Sequence, residues 1–454
     1  MDNTVAIIGL GYVGLPLAIA FGRAGLSVIG IETNRSRVDQ LNEGHSYIPD
    51  VTDADIVSLM GQGHFHATDN YDEAGKADAI FICVPTPYNA TKAPDLSFII
   101  SATEGILPRL RAGQLIVLQS TTYPGTTDEV VLPILERSGL REGIDFELAF
   151  SPERIDPGNT KFNAINTPKV VGGTTEGATH RAAELLRRIG APVEKVSNAR
   201  TAEMTKLLEN IFRSVNIALV NEMALLCERM EINVWEVIRA AASKPFGFMP
   251  FSPGAGVGGH CIPIDPLYLS WKAREYDFHT NFINLAAEVN ESMPYHVVDL
   301  VAYGLSQQRR SVMDSNVLVL GVAFKRDIDD SRNSPAERII ELLLQRGANV
   351  SYHDSGVPQY SIGPDVFHHN KLTLTSIPLD DAALASADCV AIITGHHIVD
   401  YARVVKEARL VVDCCNVTAN IISGREKIVL LGASMPNREE SSQALQLGRP
   451  SKLS

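Results

Sequence analysis

Short, continuous apolar runs alternate with segments of helical spacing along the first 200 residues. Val5-Ala-Ile-Ile8 is the first run, Leu15 to Arg23 carries helical spacing, Gly25 ends it, and Leu26 to Ile31 is a second run closed by Glu32. Ala79 to Val84, Gln114 to Gln119 and Phe146 to Phe150 repeat the strand-like signature. Each empties into a polar loop marked by proline: Pro85-Thr86-Pro87, Ser120-Thr121-Thr122-Tyr123-Pro124-Gly125 and Ser151-Pro152-Glu153-Arg154. Strands alternating with helices predict a parallel sheet whose ligand loops lie at the carboxyl ends of the strands.

The period changes at Thr201. Up to Met230, Leu207, Ile211, Val215 and Leu219 recur near helical spacing with no proline between them. Helix is expected to continue to about Ala242, where Ser243-Lys244-Pro245 breaks it, and Tyr268 to Ile283 and Leu285 to Val301 also read as helical. After Gln307 the αβ pattern restarts. Asn316 to Gly321, Asn349 to His353 ending in Asp354, Cys389 to Thr394 and Leu410 to Val412 read as strands, and Pro335 to Gln345 as a helix capped at Gly347. The expected fold class is α/β: two Rossmann-like, doubly wound parallel-sheet domains joined by a central helical domain with a long helix. The expected domains are 1–200, 201–305 and 306–435, followed by a polar, flexible tail at 436–454.

Composition narrows the class of function. The 454 residues carry 40 basic and 53 acidic side chains, a net charge of −13, which disfavours nonspecific binding to nucleic acid. No run approaches the roughly 18 apolar residues of a membrane span. No secretory signal pattern precedes the first strand, so no membrane partner and a cytoplasmic location are expected. The six cysteines form neither a CxxC pair nor a Cys/His ladder. No metal site is therefore expected, and the thiols read as reduced.

Two stretches carry candidate chemistry. The first is Gly9-Leu10-Gly11-Tyr12-Val13-Gly14, which opens a helix directly after a strand, with Glu32 ending the next strand. This context marks a dinucleotide site. Gly9 permits the tight turn, Gly11 the approach of the pyrophosphate and Gly14 close helix packing, while the helix N-terminus faces the phosphates. Glu32 suits both ribose hydroxyls of NAD and repels the 2′-phosphate of NADP. Arg35 nearby leaves NADP open, and it reads equally as an adenine-stacking or solvated side chain. The second stretch, Gly256 to Pro266, sets Cys261 behind glycines and ahead of Asp265. Alone it is as consistent with a buried cysteine in a Gly-rich turn as with an accessible nucleophile. Lys206 and Asn210 lie four apart and share a helix face, by default a solvated pair.

In order along the chain, Gly9 to Pro16, Val84 to Pro87, Ser120 to Thr127, Ser151 to Arg154, Lys206 to Glu222, Gly256 to Pro266 and Gly321 to Pro335 resemble the nucleotide-sugar 6-dehydrogenases of UDP-glucose/GDP-mannose type. The likeness covers nearly the whole chain. It implies NAD-dependent, four-electron oxidation of the C6 alcohol of a UDP-sugar to a carboxylate. It also implies that Cys261 forms a thiohemiacetal and then a thioester, with Lys206 and Asn210 stabilising the oxyanion. Asp265 would hold a water or Lys206 for proton transfer, Thr121 would bond near that water, and Glu153 would assist thioester hydrolysis. The resemblance places NAD against Gly9, Gly11, Tyr12, Val13, Gly14, Glu32, Arg35, Pro85, Thr86 and Thr121. It places the UDP-sugar against Glu153, Arg154, Lys206, Asn210, Gly258, Lys325 and Arg332, in a homodimer or higher homo-oligomer.

Gly258 to Pro266, followed by Leu267 to Glu275, is similar to the branch that oxidises UDP-N-acetylglucosamine, with UDP-N-acetylmannosamine next and UDP-glucose or UDP-galactose derivatives after that. Cys414-Cys415-Asn416 departs from the arginine many relatives carry before that asparagine, and the loop from Lys244 to Pro253 lacks the arginine of the UDP-glucose branch. Two other readings remain. A two-electron hydroxyacid dehydrogenase would lack the second α/β half. A noncatalytic NAD-binding scaffold would leave Cys261 and Lys206 without purpose.

Overall fold

Side chains of successive strand residues point into two different cores, as a strand covered on both faces requires. In the computed structural model, β1 (Thr4–Ile8) sends Val5 and Ile7 into one apolar cluster and Ala6 and Ile8 into another. The structure describes residues 2–48, 50–89, 93–155, 161–162, 165–363 and 371–434, so the tail expected at 436–454 lies outside it. Two units are resolved, residues 1–211 with 264–280 and residues 212–263 with 281–454. The helix Ala199–Met230 contributes to both.

In the first unit, β1 is joined by β2 (Ser27–Ile31), β3 (Phe65–Thr68), β4 (Ala79–Ile82), β5 (Leu115–Leu118), β6 (Glu147–Phe150), β7 (Lys169–Gly173) and β8 (Val193–Lys195). Their order is β3-β2-β1-β4-β5-β6-β7-β8, with β1 paired in parallel to both β2 and β4. The strand order reverses between β1 and β4, which opens a crevice beyond their carboxyl ends. The sheet is not wholly parallel, because β7 runs antiparallel to β6. A parallel step needs a crossover long enough to return the chain, usually a helix. None occurs between Phe150 and Lys169 among the described residues.

The segment from Ile264 folds with this unit. Ile264 and Tyr268 pack with Tyr123 in a small apolar cluster, and Trp271 lies against the Tyr123 ring at 5.3 Å. Helix starts at Asp265, three residues before the expected Tyr268, with Pro266 in its first turn, where proline costs no hydrogen bond. It stops near Tyr276 because Asp277 takes a left-handed φ of 53°. One continuous helix to Ile283 was expected, and the turn at Asp277 divides it; a new helix, Asn281–Gln307, follows.

The second unit carries a smaller, wholly parallel sheet of β9 (Asn316–Leu320), β10 (Asn349–His353), β13 (Cys389–Ile392), β14 (Val411–Asp413) and β15 (Ile428–Leu430), in the order β10-β9-β13-β14-β15. An antiparallel pair, β11 (Gln359–Ile362) and β12 (Leu372–Thr375), stands apart from it and was not anticipated. Its strand order also reverses, between β9 and β13.

Candidate active site

The glycine fingerprint is built as its spacing requires. Gly9 has φ +88°, and a Cβ there would lie 2.7 Å from the Cys83 carbonyl oxygen. At Gly14 a Cβ would meet the Gly9 carbonyl oxygen at 1.9 Å, so the helix Gly14–Arg23 can pack this close only without a side chain. At Gly11 nothing lies within 4 Å of an added Cβ, which leaves room for a phosphate to approach the backbone. Glu32 is buried beside this loop and accepts hydrogen bonds from Leu10 N at 3.3 Å and Asn34 N at 3.0 Å. These groups fit a dinucleotide with unphosphorylated ribose hydroxyls. Tyr12 and Val13 form the exposed and half-buried lip of the loop.

Arg35 points elsewhere. It is exposed and ion-paired to Asp69 at 2.7 Å and Asp39 at 3.3 Å. The cation beside Glu32 is Arg37, 3.8 Å away, with its guanidinium 5.0 Å from the centre of the Tyr47 ring. Sequence reasoning passed over Arg37 although it lies one helical turn beyond Asn34, which caps its helix. On the neighbouring loop, Pro85 is exposed and Thr86 buried, and the carbonyl oxygens of Thr86 and Pro87 accept from the Tyr268 hydroxyl.

Lys206, Asn210 and Asp265 do come together. All three are at most 8% exposed, so the Lys206/Asn210 face is a buried one rather than a solvated one. Asn210 Nδ2 donates to Asp265 Oδ2 at 2.5 Å. Burial pushes the Asp265 carboxyl up to about 6, against the Lys206 charge and the Asn210 hydrogen bond, which both lower it. The result is a carboxylate that titrates near neutrality beside a buried cation. One turn earlier, Glu203 is fully buried and accepts from Gly125 N (2.6 Å), Thr127 N (2.9 Å) and Thr127 Oγ1 (2.7 Å). Burial raises its carboxyl to about 7. Glu203 thereby ties the loop that bears the half-buried Thr121 to the helix bearing Lys206. Its place three residues before Lys206 was a legible signal that went unused.

Glu153 is held from several sides. Lys169 Nζ reaches both of its oxygens at 2.8 Å, Gln119 Nε2 donates at 3.0 Å, and the backbone N–H groups of Arg154 and Ile155 donate at 2.7 and 3.1 Å. Lys169 is fully buried. Five donor contacts converge on this carboxylate. In this arrangement Glu153 anchors the loop that it begins. Arg154 likewise spans Glu209 and the Pro168 carbonyl (2.9 Å), fastening the loop to the helix.

Cys261 belongs to the second unit and is an exposed residue. The glycines before it make room for neighbouring protein atoms. A Cβ on Gly258 would lie 2.7 Å from Phe324 Cβ and 2.8 Å from the Asn333 carbonyl oxygen. Gly259 has φ +89°, donates to the Arg332 carbonyl at 3.0 Å and accepts from Asn333 Nδ2 at 3.1 Å. The segment 324–335 thus moulds the cysteine loop. His260 is kept below its ordinary pKa by burial and by the Arg332 charge, so a neutral imidazole adjoins the thiol. Arg332 itself grips Asp330 at 2.6 Å, and Lys325 is half-buried. Among the described residues no three His, Cys, Asp or Glu side chains gather as metal ligands, and no helix is long and apolar enough to cross a membrane.

Comparison with known proteins gives three matches in order along the chain. They are the NAD binding domain of the UDP-glucose/GDP-mannose dehydrogenase family over residues 3–190, its central domain over 200–292 and its UDP binding domain over 318–420. A UDP-N-acetyl-D-glucosamine 6-dehydrogenase of Pseudomonas aeruginosa is similar, at 36% identity over 83% of this chain and 87% of its own. A UDP-N-acetyl-D-mannosamine dehydrogenase of Escherichia coli K12 is similar at the same 36%, over 87% of this chain and 93% of its own. Among solved structures, that of a UDP-D-ManNAc dehydrogenase from Pyrococcus horikoshii matches with a TM-score of 0.85 and 32% identity, covering 94% of this chain and 99% of that one.

Proposed function

The chain belongs to the UDP-glucose/GDP-mannose dehydrogenase family and is an NAD-dependent UDP-sugar dehydrogenase; from that premise we propose that it oxidises the C6 hydroxyl of a UDP-N-acetylhexosamine, UDP-N-acetylglucosamine first, to the carboxylate. The observation that carries the reading is the buried trio of Lys206, Asn210 and Asp265. A simple alcohol oxidation needs one proton acceptor. A cation, an amide donor and a carboxylate poised near pH 6 together suit a reaction that must also stabilise an oxyanion and activate water.

Gly9, Gly11, Gly14 and Glu32 would hold the cofactor, and two NAD molecules bound in turn would each accept one hydride. Asp265 takes the proton of the C6 hydroxyl, directly or through a water. Cys261 Sγ, as thiolate, adds to the C6 aldehyde and retains it as a thiohemiacetal. Loss of the second hydride leaves a Cys261 thioester. Water activated by Asp265 cleaves it, releasing the carboxylate and regenerating the thiolate. Lys206 and Asn210 stabilise the negative oxygen in each addition. Glu153, with its lone pairs engaged by Lys169, serves as the anchor of the loop that carries Arg154.

UDP-N-acetylmannosamine is the second reading, supported by the equal identity of the Escherichia coli relative. A homodimer belongs to the same proposal. Phe212, Leu219, Leu226 and Met230 stand 45–57% exposed on the long helix, an apolar row that a second copy would cover. A cytoplasmic location and a role in supplying acidic sugars for surface polysaccharide complete it. The test is a panel of UDP-sugars followed by NADH absorbance and product analysis. Two NADH per UDP-N-acetylhexosamine is expected. One NADH per sugar would replace the reading with a two-electron dehydrogenase, and NAD binding without turnover would replace it with a scaffold.

A further inference from the structure

The second sheet repeats the crevice of the first and then alters it at one residue. Gly321 N donates to the His353 carbonyl at 2.9 Å, as Gly9 N donates to the Ile31 carbonyl at 2.8 Å. Both glycines have positive φ, +81° and +88°. Val322 N donates to Asp354 Oδ2 at 2.8 Å, as Leu10 N donates to Glu32 Oε2 at 3.3 Å. Asp354 therefore occupies the place of the acidic residue that meets a ribose in a dinucleotide fold.

Its acceptor capacity is already taken up within the protein. Oδ2 also accepts from Ala323 N at 3.0 Å and faces His396 Nε2 at 3.2 Å, while Oδ1 accepts from Gly356 N at 2.9 Å. Although burial opposes ionisation, the His396 contact and the two backbone donors hold the carboxyl at about 2. His396 is 4% exposed, and its Nδ1 accepts from Asp327 N at 3.0 Å. A ring nitrogen that accepts a backbone N–H carries no proton, so the imidazole proton resides on Nε2, where it faces Asp354. The backbone of the turn that carries the ring is held as well, since the His396 main-chain carbonyl accepts from Tyr401 Oη at 3.0 Å.

His396 thus secures both ends of the strap 321–327, through Asp354 at Val322 and Ala323 and directly at Asp327. Lys325 lies inside that strap. The strap follows β9 and the His396 turn follows β13, the adjacent strands between which the order reverses.

We propose that His396, as the Nε2-protonated imidazole, is a positioning residue that clamps the 321–327 strap and so presents Lys325 to the nucleotide part of the UDP-sugar; this rests on the UDP-sugar reading above. The substrate's ribose is then met by groups other than Asp354.

The test uses the full chain and three variants. His396→Leu loses both contacts, His396→Gln keeps a donor at the Nε2 position, and His396→Asn keeps an acceptor at the Nδ1 position. For His396→Leu we expect the KM for UDP-N-acetylglucosamine to rise about tenfold, the scale of one lost hydrogen bond. The KM for NAD and the kcat at saturation should stay within about twofold, with the two single-contact variants between wild type and His396→Leu. In wild type labelled with 15N-histidine, the ring proton of His396 is expected on Nε2. An unchanged sugar KM in His396→Leu, a parallel rise in the KM for NAD, or a proton on Nδ1 would overturn the clamp. Calorimetric binding of UDP alone to wild type and His396→Gln keeps the question open to refutation if His396→Leu fails to fold. If wild type oxidises no UDP-sugar, the functional reading fails by itself, and the ring tautomer and UDP binding still decide on the clamp.

Discussion

Replacing Asp265 by asparagine should separate the stability of the buried trio from its chemistry. Folding raises the Asp265 carboxyl from its ordinary 3.8 to about 6, chiefly by burial, with Lys206 and Asn210 offsetting part of the cost. The folded chain therefore binds more protons than the unfolded one between about pH 4 and pH 6, and stability falls as pH rises through that window. Above it the full penalty is present. At about 1.4 kcal/mol per pH unit, the rise corresponds to on the order of 3 kcal/mol at pH 8, and roughly half of that remains at pH 5. Asparagine is neutral at every pH and retains an oxygen for the Asn210 Nδ2 donor. The attraction to Lys206 is already contained in the net rise, so it needs no second subtraction. Asp265→Asn is expected to melt about 6–12 °C above wild type at pH 8, at about 2–4 °C per kcal/mol for a unit of this size. Its advantage should shrink to about half at pH 5, while turnover falls by roughly two to four orders of magnitude with loss of the base. Calorimetry at pH 5, 6, 7 and 8 alongside NADH assays measures both. A variant that melts below wild type at pH 8, or whose advantage is flat with pH, refutes the reasoning.

Three further outcomes follow from the geometry. Lys169→Met strands the Glu153 carboxylate in a buried site and should cost about 3–5 kcal/mol in denaturant unfolding, with Glu153→Gln added in the same chain recovering much of it. Gly258→Ala drives a methyl group to 2.7 Å from Phe324 Cβ; about 1–3 kcal/mol of stability should be lost, with NAD affinity measured by fluorescence unchanged. Cys261→Ser should bind NAD normally yet yield no uronic acid by mass spectrometry, and normal acid formation would discard the covalent mechanism.

Much of the fold was readable because its signals are local. The period of apolar residues marked the strands, and Gly9 and Gly14 act on each other or on the chain leaving the neighbouring strand. The turn at Asp277 escaped because a single left-handed residue leaves the apolar period of its flanks intact. The antiparallel β7 escaped because strand direction depends on how the intervening chain returns, which no window of residues reports. Candidate residues were found where their chemistry was unusual for their surroundings, as with a thiol behind glycines.

The chain by itself determined that two αβ halves flank a long helix, that the first half has a dinucleotide turn, and that Cys261, Lys206, Asn210 and Asp265 are the residues to examine. Tertiary structure alone decided how each carboxylate is committed. Glu153 is engaged by Lys169 sixteen positions away, Glu203 by a loop 76 to 78 positions away, and Asp354 by His396 42 positions away. Asp265 has few partners and strong burial, and so titrates near neutrality. Ionisation energies depend on desolvation and on charges within a few ångströms, and those neighbours are brought together by folding rather than by sequence proximity.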